Sequence, residues 1–68
     1  MEEYYVNKVA QTNGDHEVHV STCIYLPSIE NRQRLGYFSS CSEAVREAKN
    51  FYSQSNGCFR CCPACHTN

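Results

Sequence analysis

The sequence predicts a small α+β module with an N-terminal β-hairpin, a third short strand, one helix and a C-terminal cysteine knuckle. Residues 4–22 alternate in polarity around a glycine-containing turn, and an apolar stripe of helical period follows Ser40. Four of the six cysteines lie within residues 58–65. The hydrophobic core of a 68-residue chain gives only marginal stability, so we expect disulfides or a bound metal ion to stabilise the fold. We expect residues 1–68 to form a single zinc-binding domain.

The N-terminal hairpin is predicted from alternation and turn chemistry. The segment from Tyr4 to Gln11 is rich in aromatic and β-branched residues and alternates like a strand. Asn13-Gly14-Asp15 has the composition of a tight turn. Residues 17–22 read as the returning strand, which is predicted to end at Cys23. In this strand His16 and His19 face opposite sides, so they are not expected to share one metal ion.

The sequence in the middle of the chain predicts a loop, a strand and a helix. Residues 28–34 are polar and are predicted to form a loop, and Leu35–Phe38 is predicted to be a third short strand. Ser40 and Glu43 fit a capping box, so the helix is predicted to begin at Cys41. Its apolar stripe has helical spacing and consists of Cys41, Ala44, Val45, Ala48, Phe51 and Tyr52.

Asn56-Gly57 is the predicted end of the helix, with Gly57 in the left-handed cap conformation. That cap would turn the chain directly into Cys58. The order of elements is then strand, turn, strand, strand, helix and cysteine knuckle.

Two residue pairs with the spacing of zinc ligands lie on either side of the predicted helix. Two residues separate Cys58 from Cys61, and three separate His19 from Cys23. A tight pair of this kind lets one turn present two side chains to a tetrahedral ion. The spacing predicts a Zn²⁺ site with the metal ligands His19, Cys23, Cys58 and Cys61, which would clamp the hairpin to the far end of the helix.

A site with this ligand set is expected to be structural. All four positions are occupied by protein side chains, which leaves none for a reactive water. Three thiolates and one neutral imidazole give the zinc site a net charge of about −1. We expect Arg60, neighbouring backbone amides or Lys8 to soften that charge.

The other cysteines leave alternatives open. From spacing alone, Cys62 and Cys65 can replace Cys58 and Cys61 as the knuckle pair. One reading of the remaining side chains is a second zinc site drawn from Cys41, Cys62, Cys65, His66 and His16. We favour the interpretation that Cys41 packs as a small apolar residue or bridges to Cys65, because a second site needs His16 to face the correct side by chance.

A longer pattern covers about residues 18 to 65. It comprises His19-x-x-x-Cys23-x-x-Leu26, Asn31, Tyr37-Phe38-Ser39-Ser40, Glu43-Ala44-Val45 and Cys58-x-x-Cys61-x-Pro63. This pattern resembles the metal-binding domain of the Ada DNA-repair protein and of its stand-alone and nuclease-fused relatives. The resemblance implies zinc ligation by His19, Cys23, Cys58 and Cys61, and Pro63 favours Cys58 and Cys61 as the knuckle pair.

The resemblance has one departure that bears on function. Where the repair protein has the cysteine that accepts a methyl group from a DNA phosphotriester, this chain has His19. A zinc-bound imidazole has no thiolate to be alkylated in that way. The resemblance therefore implies the zinc site but not methyl transfer.

Composition and motifs exclude several classes of function. The net charge of −1 and the pI near 6.2 exclude a general basic field for nucleic acid. The five tyrosines are expected to be core and rim residues rather than a stacking platform for bases, and Arg32 and Arg34 a solvated surface. Nucleophile elbows and phosphate-binding glycine loops are missing from the sequence, so we predict no enzymatic activity.

We expect a non-enzymatic zinc-binding module that binds a macromolecular partner, either a protein or a nucleic acid in a processing or repair setting. One alternative is a sacrificial thiol that uses a surplus cysteine to accept an alkyl group or to take part in redox exchange. Another is a secreted scaffold stapled by disulfides. The oligomeric state is not predicted.

The expected location is the cytoplasm, without membrane contact. The acidic N-terminus shows no apolar signal region, and no apolar run approaches the roughly 20 residues that cross a bilayer. A reducing compartment favours metal binding over disulfides for most of the cysteines.

Overall fold

The structure is a computed structural model that describes residues 1–67. Four strands, β1 (Glu2–Asn7), β2 (His16–Val20), β3 (Arg32–Phe38) and β4 (Ser55–Gly57), form one mixed sheet in the order β3-β1-β2-β4. β1 is antiparallel to β2 and β3, whereas β4 runs parallel to β2. The helix α1 spans Cys41–Ala48, and short 3₁₀ turns lie at Ile29–Asn31 and Pro63–Cys65. The predicted α+β class is confirmed.

The hairpin strands begin and end earlier than predicted. β1 ends at Asn7 rather than Gln11, because the Asn7 Oδ1 accepts a hydrogen bond of 2.9 Å from the Val9 backbone N–H and turns the chain. β2 ends at Val20, because the Cys23 backbone N–H closes a turn onto the Val20 carbonyl at 3.1 Å. Cys23 therefore lies in the turn after the strand. The predicted turn around Gly14 is present, with φ of 93° at that glycine.

The third strand is longer than predicted, and the loop prediction is wrong for residues 32–34. Arg32–Phe38 forms a seven-residue strand paired with β1. The register shifts where Tyr4 pairs with Gly36 and Tyr5 pairs with Arg34, so Leu35 is the extra residue of a β-bulge. Arg32, Gln33 and Arg34 are polar, but they form strand because they pair with β1. At the bulge, Gly36 adopts a φ of 121°.

α1 begins at Cys41, as the capping box predicts. The Ser40 Oγ accepts a hydrogen bond of 3.4 Å from the Glu43 backbone N–H. The Glu43 carboxylate reaches back one residue further than expected and accepts from the Ser39 Oγ and backbone N at 2.8 and 3.1 Å. These hydrogen bonds lower the pKa of the Glu43 carboxyl. The helix ends at Ala48 rather than near Asn56.

Gly57 does not cap the helix. It lies in β4, and within residues 1–67 the glycines with positive φ are Gly14 and Gly36. Both Asn56 and Gly57 are buried beside β2. A Cβ atom on Gly57 would lie 2.7 Å from the Cys65 Cβ and 3.0 Å from the Cys62 carbonyl oxygen. Glycine is needed here because the knuckle packs directly against the strand.

The core lies between α1 and one face of the sheet, and it is small. Its buried residues are Tyr4, Val6, Val18, Ala44, Ala48 and Cys62. Phe51 of the predicted apolar stripe follows the end of the helix and is 49% exposed, whereas Tyr52 is half-buried against the core. Within residues 1–67 the structure contains no helix of the length and apolar character that a membrane crossing requires.

Gly57→Ala is expected to lower the free energy of unfolding by about 1–3 kcal/mol, the usual cost of overpacking. The added methyl group meets backbone atoms of the knuckle, which cannot move aside like a flexible side chain. Urea denaturation at a fixed concentration of free zinc measures the change. Ser53→Ala, at an exposed position, is the control and should change stability by less than about 0.5 kcal/mol. Equal stability of the two variants would show that residues 58–65 do not pack against β4.

Candidate metal centre

Four side chains from two distant parts of the chain converge on one point. The ligand atoms of His19, Cys23, Cys58 and Cys61 all lie within 4.8 Å of one another. The Sγ atoms of Cys23 and Cys58 are 4.0 Å apart, close to the roughly 3.8 Å between two sulfurs of a tetrahedral zinc site with Zn–S bonds of about 2.3 Å. The four residues are thus positioned to bind a metal ion.

Strand pairing brings the two halves of the site together. Val18 of β2 pairs with Gly57 of β4, so the next residues, His19 and Cys58, follow at the same level of two parallel strands. The Cys58 backbone N–H donates to the Val18 carbonyl at 2.9 Å and extends this pairing by one step. The sequence predicted the ligand pairs from spacing, but the strand that aligns them was not predicted.

A turn completes each half of the site. The turn after β2 brings Cys23 back toward His19. On the other side, the Cys62 backbone N–H donates to the Cys58 carbonyl at 2.8 Å, which folds the knuckle and brings Cys61 toward Cys58. Spacings of three and two intervening residues are therefore each realised as a single turn.

The His19 imidazole has a buried nitrogen that lacks a hydrogen-bond partner among the described residues. The residue is 1% exposed, and its Nδ1 has no hydrogen-bond partner among residues 1–67. Its Nε2 lies 3.6 Å from the Glu17 Oε1, which is longer than a hydrogen bond. Burial lowers the pKa of His19, which favours the neutral ring that metals bind. An unpaired buried nitrogen costs roughly 1–3 kcal/mol, and a metal ion at Nδ1 would remove that cost.

Backbone amides, rather than cationic side chains, donate to the sulfurs. The Val20 N–H donates to the Cys61 Sγ and the Tyr25 N–H to the Cys23 Sγ, both at 3.4 Å. Lys8 and Arg60, the other donors that the sequence suggested, are exposed. Two peptide dipoles thus soften the charge that thiolates would carry at this site.

The remaining cysteines do not join this cluster. Cys41 and Cys65 form a disulfide with a Cα–Cα distance of 6.2 Å, which is one of the two options in the favoured interpretation of Cys41. The disulfide takes Cys65 out of the alternative knuckle pair. Cys62 is 2% exposed in the core, with its Sγ 3.7 Å from the Cys61 Sγ. Burial raises the pKa of both the Cys61 and the Cys62 thiol.

The two other histidines are engaged elsewhere. His16 stacks on Tyr52 with ring centroids 3.9 Å apart, and its Nδ1 lies 2.9 Å from the Asn7 carbonyl oxygen. The His66 Nδ1 lies 3.0 Å from the Gly57 carbonyl oxygen. Neither ring approaches the arrangement that a second zinc site requires.

Sequence reasoning missed Glu17 as a neighbour of the site. Its carboxylate lies on the same face of β2 as His19, two residues earlier, and burial raises its pKa. The two-residue period of the strand was the available signal, because it places residues 17 and 19 on one side. A carboxylate next to the outer nitrogen of a metal-binding histidine commonly orients the ring.

Comparisons of the chain with protein-family models, with curated proteins and with solved structures found no match. The geometry of the site therefore carries the functional argument. The resemblance to the Ada metal-binding domain stays a prediction.

The double variant Cys41→Ala/Cys65→Ala should keep its metal but lose stability. A disulfide that closes a loop of 24 residues contributes about 3 kcal/mol by restricting the unfolded chain. We expect that loss in urea denaturation at a fixed concentration of free zinc, with an unchanged metal content. Cys23→Ala is the matched cysteine variant and should lose metal. A double variant without metal would place Cys41 or Cys65 among the ligands.

Glu17→Ala is expected to weaken metal binding by about tenfold or more, because it removes the carboxylate that lies 3.6 Å from the His19 Nε2. Glu17→Gln keeps an oxygen near the His19 Nε2 and should weaken binding less. Competition with a chromophoric chelator measures both affinities. Glu30→Gln removes an exposed carboxylate in the 3₁₀ turn and serves as the control. If the Glu30 and Glu17 substitutions weaken binding equally, the loss of one negative charge explains the effect, and orientation of the His19 ring by Glu17 is contradicted.

Proposed function

We propose that this protein is a non-enzymatic zinc-binding module, whose structural Zn²⁺ holds the turn after β2 to the C-terminal knuckle. The observation that carries the proposal is the buried His19 imidazole, whose Nδ1 lacks a partner among the described residues and which belongs to a cluster with three cysteines. Thiolate and imidazole ligands favour zinc over magnesium or calcium, which prefer oxygen. The proposed ligands are His19, Cys23, Cys58 and Cys61.

The full set of protein ligands supports a structural role for the ion. Catalytic zinc sites in proteins keep one position open for water or substrate, whereas structural sites have four protein ligands. Here a tetrahedral ion would be enclosed by one imidazole and three thiolates. The proposal therefore includes no reaction at the metal.

The small core supports the need for the ion. Apart from Tyr4, the buried hydrophobic residues of the described chain are valine, alanine and cysteine. A core of this size contributes roughly 3–5 kcal/mol in a domain below about 70 residues. Structural zinc binds small domains with an apparent free energy of about 10 kcal/mol or more. The ion would thus stabilise the fold more than the core does.

Burial of the thiols supports the module over the sacrificial-thiol alternative. A reactive cysteine is partly exposed and has a depressed pKa. Cys62, the surplus free thiol, is 2% exposed, and burial raises its pKa. The three-disulfide scaffold also loses support, since Cys41–Cys65 is a disulfide and the other four cysteines are free.

Exposed apolar side chains beside the ligands support binding of a macromolecular partner. Ile24, Tyr25 and Phe59 are 70%, 52% and 58% exposed. Ile24 follows Cys23 and Phe59 follows Cys58 directly in the sequence, so the ion would hold these side chains in place. A protein or a nucleic acid would then bind a surface that the metal organises, and the Ada resemblance makes nucleic-acid processing one setting for it.

Native mass spectrometry of the purified protein, before and after addition of a chelator, tests the proposal. We expect one zinc ion per chain, and we expect chelation to remove both the ion and the folded circular-dichroism spectrum. The physical reason is that the metal would contribute more free energy than the core. His19→Ala should lose the ion at chelator concentrations that the unmodified protein resists.

His19→Cys is the matched variant for this test. It restores a fourth ligand of a type that zinc accepts, so it should retain one ion. Ser53→Ala controls for an unrelated exposed substitution. A protein that carries no metal, or that keeps its fold and its stability after the ion is removed, would contradict the proposal.

A further inference from the structure

The sheet face opposite α1 carries a second set of side chains that the zinc site does not use. Strand alternation turns Tyr4 and Val6 into the core and places Tyr5 on the other face. Tyr5 pairs with Arg34 on β3 and with His19 on β2. This face therefore runs from the metal centre across β1 to the outer strand.

On this face, two arginines lie over two tyrosine rings. The Arg32 guanidinium carbon is 4.9 Å from the centre of the Tyr5 ring, and that of Arg34 is 5.3 Å from the centre of the Tyr37 ring. We call Tyr5, Arg32, Arg34 and Tyr37 the Tyr–Arg face. A guanidinium held flat by a ring presents a planar cation on which a base can stack and N–H groups that can bind phosphate.

The Tyr–Arg face is open to solvent, and cationic residues lie at one of its ends. Tyr37 is 59% exposed, and the Arg34 side chain is 52% exposed. The Lys8 backbone N–H donates to the Asn31 carbonyl at 2.8 Å, which brings Lys8 beside the start of β3. Three of the six cationic residues, Lys8, Arg32 and Arg34, thus gather at one end of the β1–β3 pair.

Acidic side chains are engaged or placed elsewhere. Two acidic side chains share this face: Glu3 is paired with Arg34 at 2.6 Å, and Glu17 lies on β2 beside His19. Glu43 and Glu47 lie on α1, which covers the opposite face of the sheet. The ion pairs described for residues 1–67 include neither Lys8 nor Arg32, so these two side chains supply the positive charge at this end of the sheet.

We propose that the Tyr–Arg face binds single-stranded nucleic acid, with bases stacked on the guanidinium and tyrosine planes and phosphates paired with Arg32, Arg34 and Lys8. The inference rests on the proposed function, because it names the partner of the zinc module. Single strands fit this face because their bases are open to stacking, whereas duplex bases are stacked on one another. Guanidiniums over both rings match a polyanion better than an apolar protein surface.

The test is fluorescence anisotropy of a short labelled oligothymidylate, titrated with the full, zinc-loaded chain at low ionic strength. We expect saturable binding that weakens steeply with added salt, because phosphate contacts release counterions. A duplex of the same length should bind less tightly. Arg32→Ala/Arg34→Ala should weaken binding about tenfold or more, since both stacking and phosphate contacts are lost.

Matched variants separate stacking from charge. Arg46→Ala/Lys49→Ala also removes two positive charges, but from the helix side of the molecule. It should leave the affinity for the oligonucleotide nearly unchanged. Arg32→Lys/Arg34→Lys keeps the charge and loses the planar cations, so it should still weaken binding. Glu3→Gln releases Arg34 from its ion pair and should strengthen binding.

Three results would overturn the inference: no anisotropy change at low salt, equal binding of single strand and duplex, or equal losses from the helix-side and sheet-side variants. Metal content is measured on the same samples by native mass spectrometry. If the protein carries one zinc ion but does not bind the oligonucleotide, this inference is contradicted and the proposed zinc module is not. If the protein binds the oligonucleotide but carries no metal, the proposed zinc module is contradicted and binding by the Tyr–Arg face is supported.

Discussion

The parallel pairing of β2 with β4 is the constraint on which the rest of the structure depends. Three residues of each strand pair, from His16 with Ser55 to Val18 with Gly57. Parallel neighbours need a long crossover connection, and here the crossover contains β3 and α1. The same pairing that lines up His19 with Cys58 therefore places the helix on one face of the sheet and leaves the other face to the metal centre.

The sequence predicted the features that are local in the chain. Ligand spacing identified the His19–Cys23 and Cys58–Cys61 pairs, and the capping residues located the start of α1, because each depends on a few neighbouring residues. β4 escaped prediction because Ser55-Asn56-Gly57 has low strand propensity and becomes a strand through its pairing with β2. The first half of β3 was predicted as loop because Arg32, Gln33 and Arg34 are polar, whereas pairing with β1, which is distant in the chain, makes them a strand.

A histidine at position 19 suits the electrostatics of the proposed site better than a fourth cysteine would. Four thiolates around Zn²⁺ leave a charge of about −2, and one imidazole in their place reduces it to about −1. The described donors to the sulfurs are two backbone amides, and His19 is 1% exposed. In so dry a setting each uncompensated charge is costly, so the imidazole reduces the charge that these two dipoles must offset.

The cysteines form two kinds of cross-link, a disulfide and the proposed metal site, which connect different parts of the chain. The disulfide joins the first turn of α1 to the end of the knuckle, and it leaves the hairpin outside its loop. The proposed ion joins the hairpin to the start of the knuckle through His19 and Cys58. The disulfide restricts the unfolded chain, whereas the ion binds the folded one, so neither can replace the other. The knuckle is the element that both share. It packs closely on Gly57 of β4, next to the candidate ligand Cys58.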